Sequence, residues 1–430
     1  MEHRPRAGER TFADVETYER PALEALQLAR LQALWPRLAA IPYYLERLAL
    51  AATPQTLGEL GALPFTTKRD LRDAYPLGML AVPANELARV HASSGTTGNP
   101  TLGAYTANDL AMWADVCARS LQMAGLRRGE FFQITWGYGL FTGGLGMHGG
   151  VERLGACAIP ASSGNTARQM QLLETLPVVG IGSTPSYALL LAERFAAEGR
   201  TPKALRIAVC GAETWTVQMR AELELRLGVI ATNIYGLTEI VGPGVAQECA
   251  FAKGGLHVHE DHFLPEIVDP QSSAVLPDGE RGELVLTTLT REAMPVLRYR
   301  TGDLTRITRE RCRCGRTLAR IDWIAGRTDD MLTIRGVNVF PSAIEEVLLG
   351  FEDLTSNYRI VVDRSSNGLD ALTIEIERAL GRRVDEEALS ARVRARLADV
   401  LLVTAACSIL EAGTLERVEA GKVKRVTDRR

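Results

Sequence analysis

This sequence has no large excess of positive or negative residues and no long apolar run. Its 49 Lys and Arg residues nearly balance 52 Asp and Glu residues, and the formal net charge of -3 argues against nucleic acid or an anionic membrane as a partner. No stretch approaches the roughly 20 consecutive apolar residues of a membrane-spanning helix, and the first residues, MEHRPRAGERTF, are charged. We therefore expect a cytoplasmic protein that acts on small molecules.

The chain is long enough for a large domain and a smaller companion, since 430 residues exceed what one hydrophobic core usually serves. Short runs rich in β-branched or aromatic residues alternate with helical stretches, which predicts an α/β fold whose sheets are covered by helices. The predicted strands are Phe131–Trp136, Val178–Gly182, Leu205–Cys210, Ile230–Tyr235 and Glu283–Leu286, and the predicted helices include Thr166–Leu176 and Thr216–Leu227.

A polar segment, Gly326–Asp330, interrupts this pattern as an interdomain hinge would. It predicts a large N-terminal domain over 1–326 and a small α+β domain over 327–430. In the second domain, Ser342–Glu345 has the pattern of a capping box at a helix start, and Ala371–Glu377 alternates apolar and polar residues as a half-buried strand does.

Ser93–Thr101 is dense in Gly, Ser and Thr, and its amides and hydroxyls suit a polyphosphate. It lacks the Gly-Lys-Ser/Thr ending of a P-loop, which excludes that class of nucleoside triphosphatase. Taken alone, the segment is equally compatible with a plain flexible loop.

Five ordered motifs resemble those of phenylacetate–coenzyme A ligases, which belong to the adenylate-forming superfamily. They are Tyr138–Gly144, Ile234–Cys249, Tyr299–Asp303, Gly326–Pro341 and the tail Gly421-Lys422. The resemblance covers nearly the whole chain. It implies the adenylate-forming fold with a mobile small domain, and it implies ATP, Mg²⁺ and coenzyme A as reactants or cofactors.

The resemblance also implies roles for individual residues. Thr238 would contact the α-phosphate, Glu239 would ligate Mg²⁺, Asp303 would bind the ribose hydroxyls, and the Tyr235 ring would face adenine. Ser93, Ser94, Gly95, Thr96, Thr97 and Gly98 would hold the departing pyrophosphate. The remaining nucleotide ligands would be Gly211, Ala212, Glu213, Asn233, Gly236 and Arg327.

Lys422 matches the adenylation lysine that this family carries near its C-terminus. A lysine on a mobile domain can bridge the carboxylate and the α-phosphate and then withdraw. The hinge would centre on Asp329, and rotation would bring Arg335 and Gly336 to the site, where they would line the path of the thiol.

The sequence departs from the family pattern at two positions. Asn99 stands where many relatives carry Lys after the phosphate loop, and Thr214 follows Gly211–Glu213 where Pro is common. The first departure leaves fewer positive charges near pyrophosphate.

The family binds its acid near Trp136–Phe141, where a strand ends in a glycine-rich turn. Tyr138 and Phe141 are the expected aromatic contacts, whereas Trp136 is expected in the sheet core, because aromatic residues that end strands are usually packing elements. Gly143, Gly236 and Pro243 complete the expected acid-binding set. Phenylacetate, benzoate and substituted benzoates are all compatible with the sequence as the acid substrate.

Cys312 and Cys314 resemble half a zinc knuckle, and Cys249 with His257 would complete a closed Cys₃His site. His259 and His262 compete for the histidine position. Four protein ligands would make zinc structural, with no open position for catalysis.

The thiol acceptor is expected to be coenzyme A, but a phosphopantetheinylated carrier protein would present the same thiol, and an amine acceptor also stays open. A homodimer is compatible with the sequence. The rival function from another class is a sensor that binds an aromatic acid and ATP without turnover, which leaves Lys422, Glu239 and Asp303 unexplained.

Overall fold

A computed structural model describes residues 13–48, 52–93, 100–328, 332–335, 337–364, 370–379, 381–382, 384–416 and 425–430. The α-helices are α1 (Arg20–Ala39), α2 (Pro42–Arg47), α3 (Lys68–Asp73), α4 (Ala107–Met123), α5 (Thr142–Leu154), α6 (Thr166–Thr175), α7 (Pro185–Ala197), α8 (Val217–Leu227), α9 (Pro341–Leu349) and α10 (Glu386–Leu401). Short 3-10 helices span Asp14–Thr17, Leu57–Ala62 and Ala84–Glu86.

The strands form sheets of different size. In the N-terminal region they are β1 (Leu87–Ala92), β2 (Leu102–Thr106), β3 (Phe131–Ile134), β4 (Cys157–Ile159), β5 (Val178–Ser183), β6 (Ile207–Gly211), β7 (Ile230–Leu237), β8 (Gly242–Glu248), β9 (Leu256–Val258), β10 (Phe263–Val268), β11 (Gly282–Thr288), β12 (Tyr299–Thr305), β13 (Ile307–Thr308), β14 (Arg320–Ile321) and β15 (Gly326–Arg327). The C-terminal strands are β16 (Leu332–Ile334), β17 (Val337–Val339), β18 (Leu354–Arg364), β19 (Asp370–Arg378), β20 (Ala406–Leu410) and β21 (Val426–Asp428).

A nine-stranded sheet organises the large domain in the order β13-β14-β9-β8-β7-β6-β5-β3-β4. Strands β4, β3, β5, β6 and β7 run parallel, and β8, β9, β14 and β13 continue the sheet in antiparallel pairs. Helices cover the parallel strands, which explains why β5 and β6 are buried along almost their whole length. All five predicted strands and both predicted helices are confirmed to within a few residues.

The second large-domain sheet has the order β10-β11-β12-β15. Its last strand contains Gly326 and Arg327, which pair with Leu304 and Asp303. The sequence-based boundary at 326 therefore cuts through β15, and Arg327 lies with the large domain because it is hydrogen-bonded into that sheet.

The C-terminal region builds a separate core around the sheet β20-β19-β18-β21, with α9 and α10 packed against it. The predicted strand Ala371–Glu377 is confirmed within β19. The predicted capping box at Ser342 is wrong, since α9 begins at Pro341 with Phe340 at the N-cap position and no side-chain cap. Proline suits the first helical position because its fixed φ is helical and it has no amide to satisfy.

A buried ion network ties the N-terminal segment to the large domain. Glu16 is fully buried and accepts hydrogen bonds from Arg119 Nε at 3.0 Å and Arg316 Nε at 2.8 Å. Arg119 also donates three hydrogen bonds to Asp261, and His262 Nε2 lies 3.0 Å from the same carboxylate. Burial would raise the pKa of Asp261, but His262 and then Arg119 hold that pKa well below its ordinary value.

Candidate active site

A cavity of about 770 Å³ opens where the parallel strands of the large sheet end. Loops at the carboxyl ends of parallel strands commonly carry ligand-binding groups. The predicted site residues that line this cavity are Ser93, Phe141, Gly143, Ala212, Glu213, Asn233, Tyr235, Gly236, Thr238, Glu239, Pro243, Asp303 and Arg327. Residues that the sequence separates by more than 200 positions thus meet around one space.

One corner of the cavity is built around Asp303, which is only 6% exposed. The Tyr235 hydroxyl donates to Asp303 Oδ2 at 2.6 Å, and the Arg327 guanidinium donates to Oδ1. Arg327 is held in turn by the Thr301 carbonyl at 3.0 Å. Burial, together with the Asp303 charge, raises the pKa of Tyr235 well above its ordinary value, so the phenol stays a donor. This corner presents a fixed carboxylate suited to paired hydroxyl donors.

Strand β7 and the turn after it bring Gly236, Thr238 and Glu239 to the cavity. A Cβ on Gly236 would lie 1.9 Å from the Gly242 carbonyl oxygen, so only glycine permits this approach of β7 to β8. Thr238 is buried, with its hydroxyl 3.5 Å from that of Thr142. The Glu239 carboxylate forms no hydrogen bond or ion pair with a described residue, which leaves it available for a hard cation such as Mg²⁺.

The turn after β6 supplies Ala212 and Glu213, whereas Gly211 ends β6 and is not part of the lining that the described residues form. Ala212 has φ of +74°, a left-handed conformation that non-glycine residues adopt at a cost of about 1–3 kcal/mol. The Ser186 hydroxyl donates to Glu213 Oε2 at 2.7 Å and fixes this carboxylate at the cavity wall.

The apolar part of the cavity differs from the sequence-based expectation. Phe141, Gly143 and Pro243 line the cavity as predicted, and Trp136, which the sequence places in the sheet core, lines it as well. Tyr138 is not part of the lining that the described residues form; its hydroxyl lies 3.2 Å from His148 Nδ1. A contact between Tyr138 and the acid stays a prediction.

The cavity residues that sequence reasoning missed include Lys68 and Arg72 on α3 and the aromatic pair Trp215 and Trp323. The two indole rings stack with centroids 4.9 Å apart. For α3 a signal did exist, since Thr67–Asp70 has the capping-box pattern of a helix start.

Several predicted residues lie outside the part of the chain that the structure describes: Ser94, Gly95, Thr96, Thr97, Gly98, Asp329, Gly336 and Lys422. Arg335 is described and does not line the cavity. Its guanidinium donates to the Asp370 carbonyl at 2.8 Å and to Thr404 Oγ1 at 2.9 Å, both within the small domain.

A second constellation, away from this lining, consists of Cys249, His257, Cys312 and Cys314. All four are buried, and their ligand atoms lie within 4.8 Å of one another. Cys249 Sγ is 4.0 Å from Cys312 Sγ, and Cys314 Sγ is 3.5 Å from His257 Nε2. The other ring nitrogen, His257 Nδ1, lies 3.4 Å from the Gln247 carbonyl, as the outer nitrogen of a metal-binding histidine does.

The competing histidines have other partners. His259 Nε2 lies 3.1 Å from Ser120 Oγ, and His262 Nδ1 lies 2.7 Å from Thr290 Oγ1. The cluster arises because β14 pairs with β9, which places the turn holding Cys312 and Cys314 beside His257. Three thiols and one imidazole at this separation fit a tetrahedral zinc site.

Two family models match the chain. Residues 62–290 match the AMP-binding enzyme model, and residues 336–430 match the AMP-binding enzyme C-terminal domain. Among the described residues, every helix is too short or too polar to cross a membrane.

Curated relatives match nearly full length. The phenylacetate-coenzyme A ligase of Thermus thermophilus is 47% identical over 97% of this chain and 99% of its own. The protein of that name from Escherichia coli K12 is 44% identical, with 97% of both chains covered.

Solved structures of 2-hydroxyisobutyryl-CoA ligase share the fold. The postadenylation state in complex with R3-HIB-AMP is 28% identical, with a TM-score of 0.91 over 100% of this chain and 94% of that one. The thioesterification state of that ligase is 29% identical, with a TM-score of 0.73 over 99% of this chain and 94% of that one. The domain arrangement here therefore resembles the postadenylation state. With both family models and near full-length relatives in agreement, the chain belongs to the AMP-binding, adenylate-forming enzyme family as a phenylacetate–coenzyme A ligase-like member.

Proposed function

We propose that this chain is an AMP-forming acid–thiol ligase that activates an aromatic carboxylic acid with ATP and transfers the acyl group to coenzyme A. The observation that carries the proposal is the single cavity that joins the Asp303 corner, the Thr238–Glu239 turn and an apolar wall containing Trp136 and Phe141. Near full-length relatives named phenylacetate-coenzyme A ligase make phenylacetate the first acid to test.

In the first step a carboxylate oxygen of the acid attacks the α-phosphorus of ATP. The bond from that phosphorus to the bridging oxygen breaks, and pyrophosphate leaves with the bonding electrons. Asp303 would hold the ribose hydroxyls, the Thr238 hydroxyl would donate to an α-phosphate oxygen, and Lys422 would neutralise charge between the carboxylate and the phosphate. Bound Mg²⁺, held by Glu239, would supply further positive charge to the phosphates.

In the second step the thiolate of coenzyme A attacks the acyl carbon, and AMP leaves as the thioester forms. Rotation about Asp329 would withdraw Lys422 and bring Arg335 and Gly336 to the cavity. Two findings support this motion: Arg335 is bonded within the small domain, and the domain arrangement matches a postadenylation state better than a thioesterification state.

ATP–pyrophosphate exchange with purified protein and Mg²⁺ tests the first step. The panel should contain phenylacetate, benzoate, hydroxybenzoates, aminobenzoates and aliphatic acids. We expect exchange with an aromatic acid and, on adding coenzyme A, the matching thioester. Exchange without a thioester would point to a carrier protein or an amine as the acceptor. ATP binding without exchange for any acid would favour the sensor function and contradict the proposal.

The Cys249–His257–Cys312–Cys314 cluster is proposed to hold one structural Zn²⁺. The donor set supports zinc, because soft thiolates and imidazole at tetrahedral separation favour this ion. Cytoplasmic location and homodimer formation stay predictions from the sequence.

A further inference from the structure

Two cationic side chains, Lys68 and Arg72, line the cavity from helix α3. Both are partly buried, and neither side chain forms a hydrogen bond or an ion pair with any described residue. The Arg72 Nε atom is buried and lacks a hydrogen-bond partner. A desolvated cationic group is costly unless an anion compensates it, so these side chains suit an anionic ligand.

The backbone fixes these side chains relative to the rest of the cavity. Thr66 pairs with Tyr299, its amide donates to the Arg298 carbonyl at 3.1 Å, and the Arg300 amide donates to the Thr66 carbonyl at 2.9 Å. Because Tyr299 begins β12, the strand that carries Asp303, α3 starts at a set distance from the ribose corner. The cationic helix is therefore part of the site framework and not a loose surface element.

The first turn of α3 is also locked. The Thr67 amide donates to Asp70 Oδ2 at 2.7 Å, and the Asp70 amide donates to Thr67 Oγ1 at 3.3 Å, which completes a capping box. Lys68 and Arg72 are four residues apart and so share one helix face. That face meets the cavity.

We infer that Lys68 and Arg72 bind the β- and γ-phosphates of ATP and the pyrophosphate that departs. The inference rests on the proposed function. Ser93, at the base of the predicted phosphate loop, lines the same cavity, and Asn99 leaves that loop without a lysine. Arg327 does not fill the gap, because Asp303 already neutralises it. The helix cations supply the positive charge that the loop lacks.

The test compares Lys68→Gln and Arg72→Gln with the matched control Arg69→Gln. Arg69 lies on the same helix, but its side chain is 89% exposed and pairs with Asp73 at 3.5 Å. Binding of ATP, pyrophosphate and AMP is measured by calorimetry, which requires no knowledge of the acid. Each cavity variant should weaken ATP and pyrophosphate binding about 10-fold to 100-fold, as expected for a lost charged hydrogen bond, and leave AMP binding unchanged. Arg69→Gln should match the wild type, and Lys68→Arg should restore most of the affinity.

Two results would overturn the inference. An equal loss of AMP affinity would place the cations at the nucleoside or the α-phosphate. Unchanged ATP and pyrophosphate affinity, with a raised KM for coenzyme A in the thioester step, would place them on the phosphates of coenzyme A. Thermal unfolding of each variant checks that the fold is intact. Absence of exchange by the wild-type protein would count against the proposed function alone, because the ATP and AMP comparison stands without turnover.

Discussion

Replacing Asp303 with asparagine keeps the side-chain size but removes the charge at the ribose corner. In the structure Asp303 accepts hydrogen bonds from Tyr235 and Arg327 and is nearly excluded from water. A hydrogen bond to a charged group contributes about 1.5–3 kcal/mol. Loss of the charge-assisted ribose contacts at about 2–3 kcal/mol should lower kcat/KM for ATP about 30-fold to 150-fold.

The assay is ATP–pyrophosphate exchange at saturating acid with MgATP varied. Tyr235→Phe removes one donor and leaves the carboxylate, so its effect should be smaller than that of Asp303→Asn. Asp322→Asn is the matched control, since Asp322 also lines the cavity but pairs with Arg306 at the surface. Urea unfolding without nucleotide measures the stability lost through the Arg327 pair. An Asp303→Asn protein that loses stability but keeps the wild-type KM for ATP would refute the ribose assignment and leave Asp303 a purely structural residue.

Three further predictions follow from the site and the core. Lys422→Ala should abolish exchange but leave thioester formation from supplied acyl-adenylate largely intact; equal loss of both steps would contradict its role. Cys312→Ser should reduce bound zinc from about one ion per chain and lower the Tm, as metal analysis and calorimetry would show, whereas full metal content in the variant would exclude the Cys₃His site. Asp261→Asn should cost about 1–3 kcal/mol at pH 7, because Arg119 keeps Glu16 but loses the carboxylate that accepts its other hydrogen bonds. The folded pKa of Asp261 is depressed, so its stabilisation is present above the unfolded pKa of about 3.9 and fades as pH falls below it; a urea-measured gap between wild type and variant that stays constant down to pH 2 would contradict this sign.

The sequence predicted the parallel half of the large sheet because its strands are short apolar runs buried on both faces. It did not predict the pairing of β14 with β9, since each strand supplies only two or three residues and carries no pattern of its own. That pairing selects His257 as the histidine nearest the cysteines. The residue types of the cluster were therefore readable, but the choice of histidine required tertiary structure.

The cavity residues also divide into those that the sequence predicts and those that require tertiary structure. Motif residues such as Glu239 and Asp303 were found from the family resemblance, whereas Lys68 and Arg72 lie on a six-residue helix that is too short to show helical periodicity. The choice between Trp136 and Tyr138 depends on side-chain directions in a glycine-rich turn, which spacing does not encode. The start of α9 was misplaced because Pro341 competes with Ser342 for the helix boundary.

The position of Arg327 has a consequence for the order in which products leave. Arg327 donates a hydrogen bond to Asp303 and belongs to β15, and the next described strand, β16, begins at Leu332. The small domain would thus rotate about a point close to Asp303 without breaking the Arg327–Asp303 ion pair. We expect pyrophosphate to dissociate before the rotation and AMP to stay bound until the thioester has formed. AMP should therefore be a competitive product inhibitor towards ATP.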